Sequence, residues 1–178
     1  MAIYNTVETT NISCRCFSFI YDADIENGSL VAMGDLAEGT NDLYNAEIPK
    51  AGDRVFLVAN PAWSYDDCRR VNQNEDNYII KANTPFRVYE LNALDKFGVQ
   101  DYGISGATSL AVGDYITVDG TTVVAKDAGT TEPAATTGFV GKVEAIENYG
   151  VEFCVGQNGN IGHTGKKVIV KVIKNENV

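Results

Sequence analysis

The chain has 178 residues, 44% of them apolar and 21% charged, which allows one domain or two small ones with a core that needs no staples. Its 24 acidic and 14 basic side chains give a formal charge of −10, which is repelled by phosphate backbones and anionic lipid and so argues against direct nucleic-acid or membrane binding. No apolar run approaches the roughly 20 residues of a membrane helix, and the opening MAIYNTVETTN lacks the regions of a secretory signal, so a cytoplasmic site of synthesis is expected.

Seventeen glycines, nine tyrosines and many Thr and Val residues favour short strands and tight turns. The expected class is mainly β, built as one or two small β-sandwich or β-barrel modules with at most short helices. Residues 1–12 form a polar N-terminal arm. Residues 14–21, CRCFSFIY, alternate and are aromatic, which predicts a half-buried strand. The following DADIENGSLVAM superficially resembles a calcium loop, but Asn27 stands at its sixth position and Met33 at its twelfth, where Gly and Glu are required. A solvated turn is expected there instead.

Residues 29–34 and 43–48 are short apolar runs with the length of buried strands. In KAGDRVFLVANP, Gly52-Asp53 turns the chain and the Val/Phe/Leu run makes a core strand that ends before Pro61. The same Gly-Asp device recurs at Gly113-Asp114, ahead of YITV. Residues 60–77, NPAWSYDDCRRVNQNEDN, are the long polar segment, predicted as a functional loop or one carrying a short helix. Its Trp63 suits either an interface anchor or a cap over its own core. Arg69 and Arg70 are expected to pair locally with Asp66 or Asp67.

Residues 78–81 and 86–91, the latter FRVYEL, read as strands. The glycine-rich joint at 103–108 is placed as the boundary between a first β module, 13–102, and a second, 109–174. In the second module, 116–118 leads to Asp119-Gly120, a two-residue hairpin signal, with 121–125 as the returning strand. Residues 127–138 follow as a solvated loop, then strands at 139–143, 151–155 and 167–173. KVIVKVI sets Val168, Val170 and Val172 on one face, as in a strand that closes the sheet or lies at its edge. The tail 174–178 is expected to be loose.

Catalytic signatures are missing from the pattern. Cys14, Cys16, Cys68 and Cys154 lack the paired spacing of a zinc site, and without an export signal they read as reduced thiols. His163 lies among glycines with no nucleophile elbow, and the glycines of 156–162 open no helix that would cradle phosphate. No catalytic, cofactor-binding or metal residue is assigned, and the chain is not expected to be an enzyme.

One resemblance goes further. NGSLVAMG at 27–34, Tyr44-Asn45-Ala46, VFLVA at 55–59 with Pro61 and Tyr65-Asp66, FRVYEL with Asp95 and Phe97, Val112-Gly113-Asp114-Tyr115, and Gly141-Lys142-Val143 occur in that order. Together they resemble the head decoration, or cement, proteins of tailed bacteriophages of Gram-positive hosts. The resemblance implies a non-enzymatic virion protein, made in the host cytoplasm, that sits on the capsid exterior. Its partners would be the major capsid protein and further copies of itself, with a trimer favoured. Ala2, Ile3 and Tyr4 of the arm and Trp63 and Tyr65 of the polar loop are the expected capsid or subunit contacts, with the valine face of the last strand a further surface for burial. The alternative is another virion component, a head-fibre or tail module binding host-surface carbohydrate.

Overall fold

The computed structural model describes residues 7–13, 15–61, 78–149 and 165–178. Among these the chain forms twelve strands: β1 Glu8–Asn11, β2 Cys16–Ile20, β3 Leu30–Leu36, β4 Leu43–Glu47, β5 Phe56–Val58, β6 Phe86–Glu90, β7 Lys96–Gln100, β8 Ile104–Ser105, β9 Tyr115–Thr117, β10 Ala125–Gly129, β11 Phe139–Tyr149 and β12 Gly165–Asn175. The only helical turns among the described residues are short 3-10 segments at Asp101–Gly103 and Ala107–Ser109. The protein is therefore mainly β, as the composition predicts.

Strands β2 to β6 close into a barrel in the order β2-β4-β3-β5-β6, and the others form a seven-stranded sheet in the order β1-β7-β12-β11-β9-β10-β8. Aromatic side chains fill the barrel. Phe19 and Phe56 stand 5.4 Å apart between ring centres, and Phe17 meets Phe56 edge-on at 5.7 Å. Around them lie Val31, Val58, Phe86 and Val88, all buried.

A second core joins the barrel to the sheet. In the antiparallel β3–β5 pair, Leu30 faces Leu57 and Val31 faces Phe56. Successive side chains on a strand point to opposite faces, so Val31, Phe56 and Val58 enter the barrel while Leu30 and Leu57 leave it. Those two leucines, with Val55 and Leu91, pack against Phe97, Val99, Ile116, Phe139 and the valines of β12. This wall is buried on both faces, which explains why VFLV reads as an unbroken apolar run rather than an alternating one.

Asn175, at the end of β12, fixes the two parts by hydrogen bonds. Its amide Nδ2 donates to the carbonyls of Val55 and Leu91 at 2.9 and 2.8 Å, and its Oδ1 accepts from the Val55 amide at 2.8 Å. All three partners are backbone groups at the barrel's rim, and the side chain is 7% exposed.

One turn recurs three times, ahead of β5, β7 and β9. In KAGD, NALD and AVGD the aspartate carboxylate accepts from the amide three residues earlier, Lys50 at 2.9 Å, Asn92 at 2.9 Å and Ala111 at 2.7 Å. In the second and third copies the turn also grips a neighbouring strand. Leu94 N–H donates to Val172 and Gly113 N–H to Val143, while the amides of Val172 and Val143 return bonds to Asp95 and Asp114. The grip needs a positive φ, 101° at Gly113 and 77° at Leu94. Leucine there is strained, and the copy that carries it has Leu-Asp in place of the Gly-Asp that marks the other two.

Several expectations are corrected. β7 was not foreseen, yet it pairs with β1 on one side and β12 on the other. β12 is neither closing nor edge strand but lies inside the sheet, and its valine face is consumed by the chain's own core. The Asp119-Gly120 hairpin does not form. Asp119 Oδ1 instead accepts from the amides of Thr121 and Thr122, and the returning strand is β10, with Lys126 opposite Thr117. Residues 125–129, partly assigned to a solvated loop, are therefore strand, and that loop's end is buried. A Cβ on Gly138 would lie 2.5 Å from backbone atoms of Gly52 and Asp53. Residues 78–81 supply only a bridge, Ile80 to Ile25. The tail is held too, because the amides of Glu176 and Val178 donate to Gly138 and Gly52. The joint at 103–108 includes β8, an edge strand of the sheet that also takes in β1 and β7.

Truncating the shared wall tests this account. Leu57→Ala should lower the unfolding free energy by about 2–5 kcal/mol. Asn175→Ala, which strands three buried backbone groups, should cost roughly 3 kcal/mol. Both are read from urea midpoints at constant slope.

Candidate functional site

The residues expected to make contacts, Ala2, Ile3, Tyr4, Trp63 and Tyr65, lie outside the described residues, as do His163, Cys14, Cys68 and Cys154. Cys16 is an exposed free thiol on β2. Among the described residues no group of three or more His, Cys, Asp or Glu side chains is arranged to hold a metal ion, and no helix is long and apolar enough to cross a membrane. Asp24, at the rejected calcium loop, accepts instead from Lys81 Nζ at 2.8 Å and the Ala82 amide at 3.0 Å.

Two grooves mark the joints between barrel and sheet. One, of about 400 Å³, is lined by Arg54, Asn92, Ala93, Asn175, Glu176 and Asn177. Arg54 crosses it, donating to Glu90 and, at 3.2 Å, to Asn92 Oδ1, with its guanidinium 5.9 Å from the centre of the Phe56 ring. Glu90 neutralises the cation, and the Glu176 carboxylate stands at the same groove beside the amides, so the lining disfavours an anion.

The other groove, of about 260 Å³, runs between residues 24–29 of the barrel and Gly103, Val123 and Val124 of the sheet. Its floor is braced by Leu30 N–H donating to the Val123 carbonyl at 2.7 Å and by Asn27, whose amide exchanges two hydrogen bonds with the Asn60 backbone. Burial raises the Glu26 carboxyl above the ordinary glutamate range. Asp24 moves the other way, lowered first by its hydrogen bond from Lys81 and then by that from Ala82.

The outer face of the sheet carries a feature that no single segment announces. Lys96 of β7 lies opposite Lys171 of β12, and Lys171 lies opposite Lys142 of β11. Three lysines thus form one row across adjacent strands, an arrangement that costs stability when like charges face each other. Glu144 relieves part of the cost, accepting from Lys96 at 2.5 Å and standing 3.7 Å from Lys171. Its carboxyl is lowered by the Lys96 hydrogen bond first. Lys142 extends over the Tyr115 ring, 5.2 Å from its centre. Ile173, next on this face of β12, is 40% exposed.

The barrel has the opposite sign. Residues 22–47 contain seven carboxylates and no Lys or Arg. On the β3–β4 hairpin Asp35, Glu38, Asp42 and Glu47 are exposed, and beside them Met33 and Leu36 are 37% and 44% exposed. Met33 pairs with Ala46 and Leu36 with Tyr44, which places both apolar side chains at the barrel's end.

No protein-family model, curated protein or solved structure matches the chain. The lysine row escapes sequence reasoning because its members are far apart in the chain and only strand register aligns them; the cation-free run 22–47 was legible in composition.

Glu26 and Asp24 give opposite pH signatures. A raised folded pKa contributes stability below the ordinary glutamate value and loses it as pH rises through the raised value, so charged Glu26 is a cost at neutrality. Glu26→Gln should be more stable than the parent at pH 7, with the gap closing in acid. The lowered pKa of Asp24 contributes above the ordinary aspartate range and is lost as pH falls through its folded value. Asp24→Asn should be less stable at pH 7, again converging in acid. Denaturant unfolding across pH checks both.

Proposed function

We propose that the protein is a capsid-decorating structural component of a tailed bacteriophage, bound to the outer surface of the shell as a homo-oligomer with a trimer favoured. The observation that carries this reading is the ordered resemblance to head decoration proteins, whose segments fall on the framework: 27–34 runs into β3, 44–46 lies in β4, 55–59 spans β5, 86–91 spans β6, and 141–143 lies in β11. The segments that carry the resemblance lie in barrel strands β3, β4, β5 and β6 and in sheet strands β7, β9 and β11. A body with two cores and charged outer faces suits a protein that works by occupying surface. Many copies bound only to the assembled shell stabilise it by mass action, without chemistry.

The groove at Arg54 favours a second reading, a head-fibre or tail module that binds host-surface carbohydrate. The side-chain amides of Asn92 and Asn177, an arginine paired with Glu90 and the Glu176 carboxylate around about 400 Å³ suit a hydroxylated ligand that carries no negative charge.

Added protein should bind expanded shells saturably and raise their melting temperature until sites are filled. Purified protein that never co-sediments with shells ends the decoration reading. Ligand-dependent resonance shifts at Asn92 and Asn177 with a neutral oligosaccharide, in the absence of shells, would favour the alternative.

A further inference from the structure

We infer that copies of this chain join head to tail, the β3–β4 hairpin of one barrel docking on the lysine row of the next copy's sheet. The inference rests on the homo-oligomer part of the proposed function and not on capsid binding.

Both halves of the contact are present on one chain. The hairpin offers Met33 and Leu36, 37% and 44% exposed, beside the carboxylates of Asp35 and Glu38. The sheet offers Ile173, 40% exposed, beside Lys96, Lys171 and Lys142 aligned by register. Apolar side chains meet apolar ones, and a cation-free acidic hairpin meets three lysines, of which Lys96 and Lys171 share Glu144 and Lys142 lies over the Tyr115 ring. Bringing carboxylates to that row would offset the like-charge cost that the isolated sheet carries.

The contact cannot be made within one chain. The inner face of β12, Val168, Val170 and Val172, packs on the core that joins sheet to barrel, so the lysine row on the opposite face points away from its own hairpin. The partner must be a second copy. The two surfaces differ, which makes the contact heterologous, and successive copies then close into a ring when the rotation permits. A small cyclic oligomer is the expected product.

Two charge-reversal variants test this by mass in solution: Asp35→Lys with Glu38→Lys on the hairpin, and Lys142→Glu with Lys171→Glu on the sheet. The parent should be a multimer of the 19.2 kDa chain that dissociates as salt is raised and the Debye length falls. Each variant alone should run as a single chain. Mixed in equal amounts they should reassociate, because one retains the native lysine row and the other the native hairpin; reassociation also shows that both are folded. A parent that is monomeric at low salt, or variants that keep the parent's mass, would overturn the contact, as would a mixture that stays monomeric while circular dichroism shows both variants folded. Shell binding by a monomeric parent would remove this contact and leave the decoration reading standing. A parent that forms the oligomer yet ignores shells would do the reverse.

Discussion

The structure depends on the β3–β5 wall, a pair of strands buried on both faces. Most antiparallel strands in small domains have a wet side, and burying both sides of the same residues doubles the apolar surface that each contributes. Leu30 and Leu57 serve one core, Val31 and Phe56 the other. The barrel cannot shift relative to the sheet without opening one of them. Asn175 adds direction to this attachment, since three hydrogen bonds of defined geometry allow one seating of β12 on the barrel's rim.

That wall also explains how much was legible from the sequence. VFLV, SLVAMG, FRVYEL and KVIVKVI were readable because strands declare themselves by period or by unbroken apolarity. β7 was not, because KFGVQ interrupts its pattern with Gly98, which lies close under the side chains of Lys167, Ile169 and Glu8. The Asp-Gly hairpin misled because Asp119 spends its carboxylate on the next two amides, a local alternative to strand pairing. Sheet order was not legible either. Nothing in KVIVKVI distinguishes an edge strand from an interior one once its outward face carries lysines.

The candidate surfaces show the same division. The acidity of 22–47 is a matter of composition and could be counted. The lysine row is a matter of register, and like charges on three neighbouring strands become visible only when those strands are placed together. The whole-chain charge of −10 conceals this separation, since its excess of carboxylates lies mainly in the barrel half. A protein that is acidic on average thus presents a basic strip on one side and an acidic, partly apolar tip on another.

The long reach of the shared wall bears on how the chain is made. Residues 16–90 contain all five barrel strands, so the barrel can begin to close as soon as they have emerged from the ribosome. Leu30, Val55 and Leu57 nevertheless stay open to water until β7, β11 and β12 arrive to cover them. Every nascent chain therefore passes through a stage with a half-finished body and an adhesive flank. The docking of residues 165–175 between β7 and β11 covers that flank and completes the second core.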